Sequence, residues 1–185
     1  MPQTKQWGIR AKVGKKGLTL GAINIGIYGE VPDRWANLNL VGRGAIESPS
    51  VMDQGFTVFE KQEVWAEHVA DLYEEAIQRR WIPATDIPWE TLQLQPEDWE
   101  RAMCQLCTEL SERALVTCDA VCQWVQRISY GFHEVKCFLA TVIADTTRHH
   151  EAFRKRALAN GGGLGLQTPQ WGHRNLITAK NYTEF

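Results

Sequence analysis

The chain has 185 residues, of which 44% are apolar and 23% are charged, and its 20 basic and 22 acidic residues give a net charge of −2. This composition is typical of a soluble globular protein, and the length suits a single domain with a substantial core. Because binding to a phosphate backbone needs clustered excess Lys and Arg, the near-neutral charge argues against nucleic acid as a partner.

The apolar segments are short. The most apolar run, Cys137 to Ala144, is about half of the 18 to 20 residues that a membrane-spanning helix needs. The basic residues near the start are not followed by the apolar segment of a secretory signal. We therefore expect a cytoplasmic protein with reduced cysteines and no membrane partner.

The glycines divide the chain into three parts. Nine of the 15 lie in residues 1–60, none in 61–130 and six from 131 onward. Glycine-poor sequence favours helix, whereas the glycines of the first part weaken any sheet. We predict an irregular N-terminal arm over residues 1–56, a helical region over 57–160 and a Gly-rich C-terminal tail over 161–185.

The first predicted helix spans residues 57–81. Thr57 and Glu60 have the spacing of a capping box, and Pro83 disfavours helical geometry at the residue before it. Trp65, Val69 and other apolar residues recur at helical spacing, which predicts an amphipathic helix that needs a partner.

The second and third predicted helices form an antiparallel pair. Pro96 and the acids after it open a helix that is expected to end near Tyr130, and Gly131 supplies the turn. The third helix begins at His133 and ends at the glycine cap of Gly161. Three long helices predict an all-α fold, an incomplete bundle that lacks its fourth helix. A homodimer, another helical partner or the arm would complete it.

Residues equidistant from the turn should lie level in such a pair, and this places Glu112 opposite His149. A carboxylate and an imidazole that face each other bind a metal ion or form a buried hydrogen bond. The spacing alone leaves both alternatives open.

The segment Asp145-Thr-Thr-Arg148-His149 resembles the Asp-Glu-x-Arg-His signature of the ferritin-like di-iron carboxylate superfamily, which includes the ribonucleotide reductase small subunit. The segments Leu72-Tyr-Glu-Glu-Ala76 and Glu109-Leu-Ser-Glu112 are similar to uncharacterised bacterial ferritin-like proteins, and the resemblance spans about residues 57–182. It implies a ferritin-like bundle, iron or manganese as cofactor, and oxidoreductase chemistry that activates O₂ on an unidentified small-molecule substrate.

The resemblance also implies roles for individual residues. Glu112 and His149 would be metal ligands, and Glu109 would be an alternative ligand or a solvated helix charge. Asp145 would orient a histidine of another helix pair and Arg148 would be a buried ion-pair partner, or the two would form a structural salt bridge.

Thr146 stands where the family has a bridging glutamate, and a neutral hydroxyl is a poor ligand for Fe²⁺ or Mn²⁺. The chain also shows one helix pair where the family has two, so that it is similar to the amino-terminal half of a family member. We therefore expect impaired metal chemistry, and the alternative function is a non-catalytic helical assembly or partner-binding module.

Four of the five cysteines, Cys104, Cys107, Cys118 and Cys122, fall within the second predicted helix. Along a straight helix Cys107 and Cys118 would be about 16 Å apart, too far to share one zinc ion. We interpret these cysteines as core residues with free thiols.

Overall fold

The computed structural model describes residues 8–49 and 52–167. Regular structure in this part of the chain is helical and without strands, which confirms the all-α class. The helices are α1 (Leu20–Ile23), α2 (Lys61–Val64), α3 (Val69–Gln78), α4 (Glu97–Arg127) and α5 (His133–Ala159), with 3₁₀ turns at Gly26–Tyr28, Trp89–Thr91 and Tyr130–Phe132. Among these helices, none combines the length and apolar character that crossing a membrane requires.

The prediction of a long first helix over residues 57–81 is wrong. The backbone N–H groups of Thr57 and Val58 donate to the carbonyl of Arg127, so residues 57 and 58 take part in a bridge to the end of α4. The capping box is also wrong, since Glu60 precedes α2 without a side-chain cap bond. The helix then breaks at Trp65, which adopts an extended conformation and packs against an apolar core. Within the described ranges, α4 and α5 are the only long helices.

The predicted second and third helices are confirmed with small changes at their ends. Helix α4 ends at Arg127, three residues before the predicted end, and a 3₁₀ turn occupies the predicted glycine turn at Gly131. Helix α5 ends as expected, with Gly161 in the left-handed region at φ +76°. A ferritin-like bundle remains a prediction.

The chain divides into two compact units. Unit 1 comprises residues 1–79 and 123–141, and unit 2 comprises residues 80–122 and 142–185. Residues 168–185, most of the predicted tail, lie outside the described part of the chain.

An apolar core organises unit 1. Its buried members come from the loop before α2, from α3, from the end of α4, from the connection between α4 and α5, and from the start of α5: Val58, Val69, Trp124, Ile128, Phe132 and Val135. Trp35 and Trp65 pack against this cluster. Two backbone hydrogen bonds, Trp35 N–H to Phe59 O and Lys61 N–H to Asp33 O, both 2.8 Å, join the arm to the loop before α2 and to the first residue of α2. The arm is therefore fixed by tertiary contacts.

A buried ion pair joins the arm to α5 in unit 1. The side chains of Arg43 and Glu134 are 1% and 0% exposed, and the guanidinium donates to both carboxylate oxygens. Arg43 also donates to the carbonyls of Tyr28 and Gly131, and Asn24 donates to Glu134 at 2.6 Å. Burial raises the pKa of Glu134, but the hydrogen bonds from Arg43 and from the backbone N–H of Glu134, together with the charges of His133 and Arg43, lower that pKa overall. Both charges are thus compensated.

The substitution Arg43→Met should destabilise the protein by about 3–5 kcal/mol, because it leaves the carboxylate of Glu134 buried without its partner. Chemical denaturation measures the free energy of unfolding. The control is Arg34→Met, which removes the exposed pair between Arg34 and Glu60 and should cost at most about 1 kcal/mol. Equal losses in the two variants would contradict a special role for the buried pair.

Candidate functional site

In unit 2, α4 and α5 run antiparallel with the predicted register. The imidazole Nδ1 of His150 lies 2.8 Å from Ser111 Oγ, and the Cys104 thiol donates to the carbonyl of Ala157 at 3.3 Å. Both pairs are equidistant in sequence from the bond between residues 130 and 131, which confirms the register. Ser111 and His150 thus make a contact across the helices at this height.

Glu112 and His149, the predicted metal ligands, lie next to this pair. Glu112 is half-buried and His149 is exposed. The imidazole of His149 stacks on the indole of Trp81, with 6.2 Å between ring centroids and 29° between planes. Sequence analysis did not identify Trp81, which follows α3 in the chain and has no periodic relation to α5.

Asp145 and Arg148 form an ion pair one turn apart on α5. The guanidinium carbon of Arg148 lies 5.8 Å from the centroid of the Trp81 ring, so the same indole contacts both Arg148 and His149. This ion pair lies within one helix, and the role of Asp145 in orienting a histidine of another helix pair stays a prediction. Its Nε is buried without a hydrogen-bond partner.

Thr146 and Glu109 occupy different environments. Thr146 is buried, and its hydroxyl donates to the carbonyl of Ile143 at 2.8 Å. Glu109 pairs with Arg113 one turn along α4. The Thr146 hydroxyl is therefore bonded to the backbone of its own helix, and the Glu109 carboxylate is bonded to a guanidinium group.

These residues do not fit a di-metal centre. Carboxylate-bridged sites in helical bundles draw a Glu from each of two helices and a Glu-x-x-His motif from each of two others. Over residues 8–49 and 52–167, no group of three or more His, Cys, Asp or Glu side chains is placed to hold a metal ion. Thr146 supplies a hydroxyl where the motif requires a carboxylate.

A second polar cluster, which sequence analysis missed, lies where the start of α4 meets the end of α5. The buried carboxylate of Glu100 accepts from Arg156 at 3.0 and 3.2 Å and from Asn160 at 2.8 Å. It also accepts from the backbone N–H of Gln95 at 3.0 Å. The register could have revealed this cluster, because Glu100 and Asn160 are almost equidistant from the turn.

The Gly-rich segment returns along α4 after capping α5. The N–H of Gly165 donates to Thr108 Oγ1, and Gln105 exchanges hydrogen bonds with the backbone of Leu166 at 2.8 and 2.9 Å. A Cβ at position 162 would lie 2.4 Å from the sulfur of Cys104, so glycine permits this close approach. A cavity of about 760 Å³ opens beside these residues, but Glu100, Cys104 and Gln105 on its wall already have intramolecular partners.

The other notable surface of unit 2 is apolar. Trp99, Ala102 and Leu106 are exposed along α4, and Trp99 and Leu106 keep 69% and 47% of their accessible surface. Spacings of three and four residues place these side chains on one face of the helix. We refer to these three residues as the α4 stripe.

Comparisons with protein-family models, with curated proteins and with solved structures find no match to this chain. The conclusions about function therefore depend on the residues themselves.

The Glu100 cluster should make stability sensitive to acid. Hydrogen bonds from Arg156, Asn160 and Gln95 lower the pKa of Glu100 from 4.5 to about 2. A carboxyl group whose pKa is depressed in the folded state stabilises the protein above its unfolded pKa, and this contribution is lost as the pH falls towards the folded value. Melting temperatures should therefore fall between pH 4.5 and 2, and Glu100→Gln should show a smaller fall over that interval. A matched control is Glu97→Gln, which removes an exposed pair with Arg101. Equal acid dependence of wild type and Glu100→Gln would contradict this assignment.

Proposed function

We propose that this protein is a non-catalytic helical assembly module that associates with a second copy of itself through the α4 stripe. The exposure of Trp99 carries the proposal: 69% of this large aromatic side chain is accessible on a regular helix. Tryptophan is enriched among the residues that dominate binding energy at protein interfaces. Leu106 lies two turns further along the same face.

The stripe has the pattern of a helix-packing surface. Positions 99, 102 and 106 have the 3–4 spacing of the apolar seam between paired helices. Ala102 is small and lies between two large side chains, which allows a neighbouring helix to approach closely. Glu109 and Arg113 form an ion pair immediately after the stripe, which limits its apolar length. A second copy presents the same stripe, and a two-fold arrangement would cover both.

The interactions of three residues around the predicted ligands also support a non-catalytic role. Asp145 and Glu109 each bind an arginine, and the Thr146 hydroxyl binds a backbone carbonyl. A catalytic di-metal site would have to break these interactions and add carboxylates from elsewhere. The alternative, a ferritin-like di-iron or di-manganese oxidoreductase, remains a prediction from the sequence resemblance. The side-chain interactions described above support it less well than they support the non-catalytic module.

The first test is the substitution Leu106→Glu, which places a charge in the stripe. It should weaken self-association at least about tenfold, equivalent to about 1.4 kcal/mol, because the carboxylate would be desolvated at the interface. Sedimentation velocity over a concentration series measures the association.

The matched control is Leu115→Glu. Leu115 is 41% exposed on the same helix, but nine positions from Leu106 place it about 180° around the helix axis. This variant should associate like the wild type. Wild-type protein that stays monomeric at high concentration, or equal loss of association in both variants, would contradict the proposal.

Metal binding provides a second test. The wild type purified without a metal-affinity tag should contain no stoichiometric Fe or Mn, and adding Mn²⁺ should leave its melting temperature unchanged. The substitution Thr146→Glu should lower the melting temperature without metal, because it places a carboxylate at a buried position where an uncompensated charge costs several kcal/mol.

Mn²⁺ could raise the melting temperature of Thr146→Glu by binding to the new carboxylate together with Glu112. In that case the rise should disappear in the double variant Thr146→Glu/Glu112→Gln. Stoichiometric, stabilising metal in the wild type would favour the oxidoreductase and contradict the non-catalytic assignment.

A further inference from the structure

The thiols of Cys118 and Cys122 lie one turn apart on α4, both within unit 2. Cys122 is exposed and Cys118 is partly buried, and the two positions are four residues apart on the same face of the helix. The interpretation of all four cysteines of this helix as core residues is therefore wrong for Cys122. This pair combines closeness on one helical face with access to solvent.

The other three cysteines are in different environments. Cys104 and Cys107 are buried, and the thiol of Cys104 donates to the carbonyl of Ala157. Cys137 is partly buried and belongs to unit 1. Any ion that binds cysteine sulfur from the solvent should therefore reach the pair at 118 and 122 first.

We propose that Cys118 and Cys122 form a two-coordinate binding site for a soft monovalent cation of the Cu(I) class. Side chains four residues apart on a helix have Cβ atoms about 5–6 Å apart, which allows the two sulfurs to flank one ion. Soft thiolate ligands select Cu(I), and two such ligands suffice for it.

The same geometry disfavours zinc. Structural Zn²⁺ sites take four protein ligands in a tetrahedron, and even catalytic sites take three. Across the described ranges, no third His, Cys, Asp or Glu side chain joins a pair to make a metal-binding group. The two thiols therefore discriminate by ligand number as well as by ligand type.

Binding requires both thiols to lose their protons. Two R–SH groups and one Cu⁺ give an S–Cu–S unit with one negative charge and release two protons, with no change in oxidation state. A free thiol is mostly protonated at neutral pH, since its ordinary pKa is about 8.5, so the metal ion displaces the protons as it binds.

The test is an anaerobic titration of the full chain with Cu(I) in competition with a chromogenic chelator. We expect one tightly bound Cu(I) per chain and the release of two protons. Loss of a residue that only supports a ligand costs about 10- to 100-fold in metal affinity. Cys122→Ser removes a ligand itself and should therefore weaken Cu(I) binding by more than this. Cys118→Ser should have the same effect, whereas Cys137→Ser should bind Cu(I) like the wild type.

A spacing control keeps the number of cysteines at five. The double variant Asp119→Cys/Cys122→Ser retains two thiols in the same helical turn but places them at adjacent positions, which do not face each other. It should lose tight Cu(I) binding as Cys122→Ser does. Because Cys122 and Asp119 are exposed, these substitutions leave the helix core intact, and circular dichroism checks this.

Three results would overturn the proposal: wild-type affinity for Cu(I) in Cys122→Ser, wild-type affinity in the spacing control, or preferential binding of Zn²⁺ by the wild type. One Zn²⁺ bound per two chains would mean that four thiols from two copies form a tetrahedral site. That result would also contradict the two-coordinate assignment.

Discussion

A guanidinium and a carboxylate that are both shielded from water, those of Arg43 and Glu134, hold the arm of unit 1 against the start of α5. Each charge alone in that position would cost several kcal/mol, so neither segment can adopt its place without the other. Asn24 and the carbonyls of Tyr28 and Gly131 complete the hydrogen bonding. The described part of the arm contains one four-residue helix and one 3₁₀ turn, and specific side-chain contacts therefore replace regular structure in fixing it.

Local signals in the sequence were sufficient to predict α4, α5 and their register. Proline and acids at the start of α4 and the glycine cap after α5 act within a few residues of the positions they determine. The pairing of Ser111 with His150 follows from counting along two regular helices. The first helix was mispredicted because its breaks have distant causes: residues 57 and 58 bond to Arg127, and Trp65 packs into an apolar core. The pairing of Arg43 with Glu134 is equally non-local and left no periodic signal.

The candidate site was also predicted only in part. Counting residues from the turn predicted which positions of α4 and α5 lie at the same height, but it did not predict which side chains make contact there. Ser111 makes the contact next to Glu112, and the indole of Trp81 lies against His149. The Thr146 hydroxyl turns to its own helix backbone, as threonine commonly does within helices. The Glu100 cluster was accessible to the same counting, but a glutamate in the first turn of a helix is usually explained by the helix dipole alone.

The two surfaces of α4 in unit 2 thus have different chemistry. One side buries Glu100, Cys104, Thr108 and Ser111, which bond to α5 or to the Gly-rich segment. The α4 stripe lies outside this polar contact and presents an indole and a leucine to solvent. Burying apolar surface favours association by about 25 cal/mol per Å², whereas polar groups that are already satisfied gain little from a new partner.

Hydrogen exchange of the wild type at low and high protein concentration tests the assembly function most directly, because it locates the surface as well as detecting association. The proposal predicts that amides of residues 97–110 exchange more slowly at high concentration, while those of the arm and of α3 keep their rates. Concentration-independent exchange throughout α4, or new protection confined to segments other than residues 97–110, would contradict it.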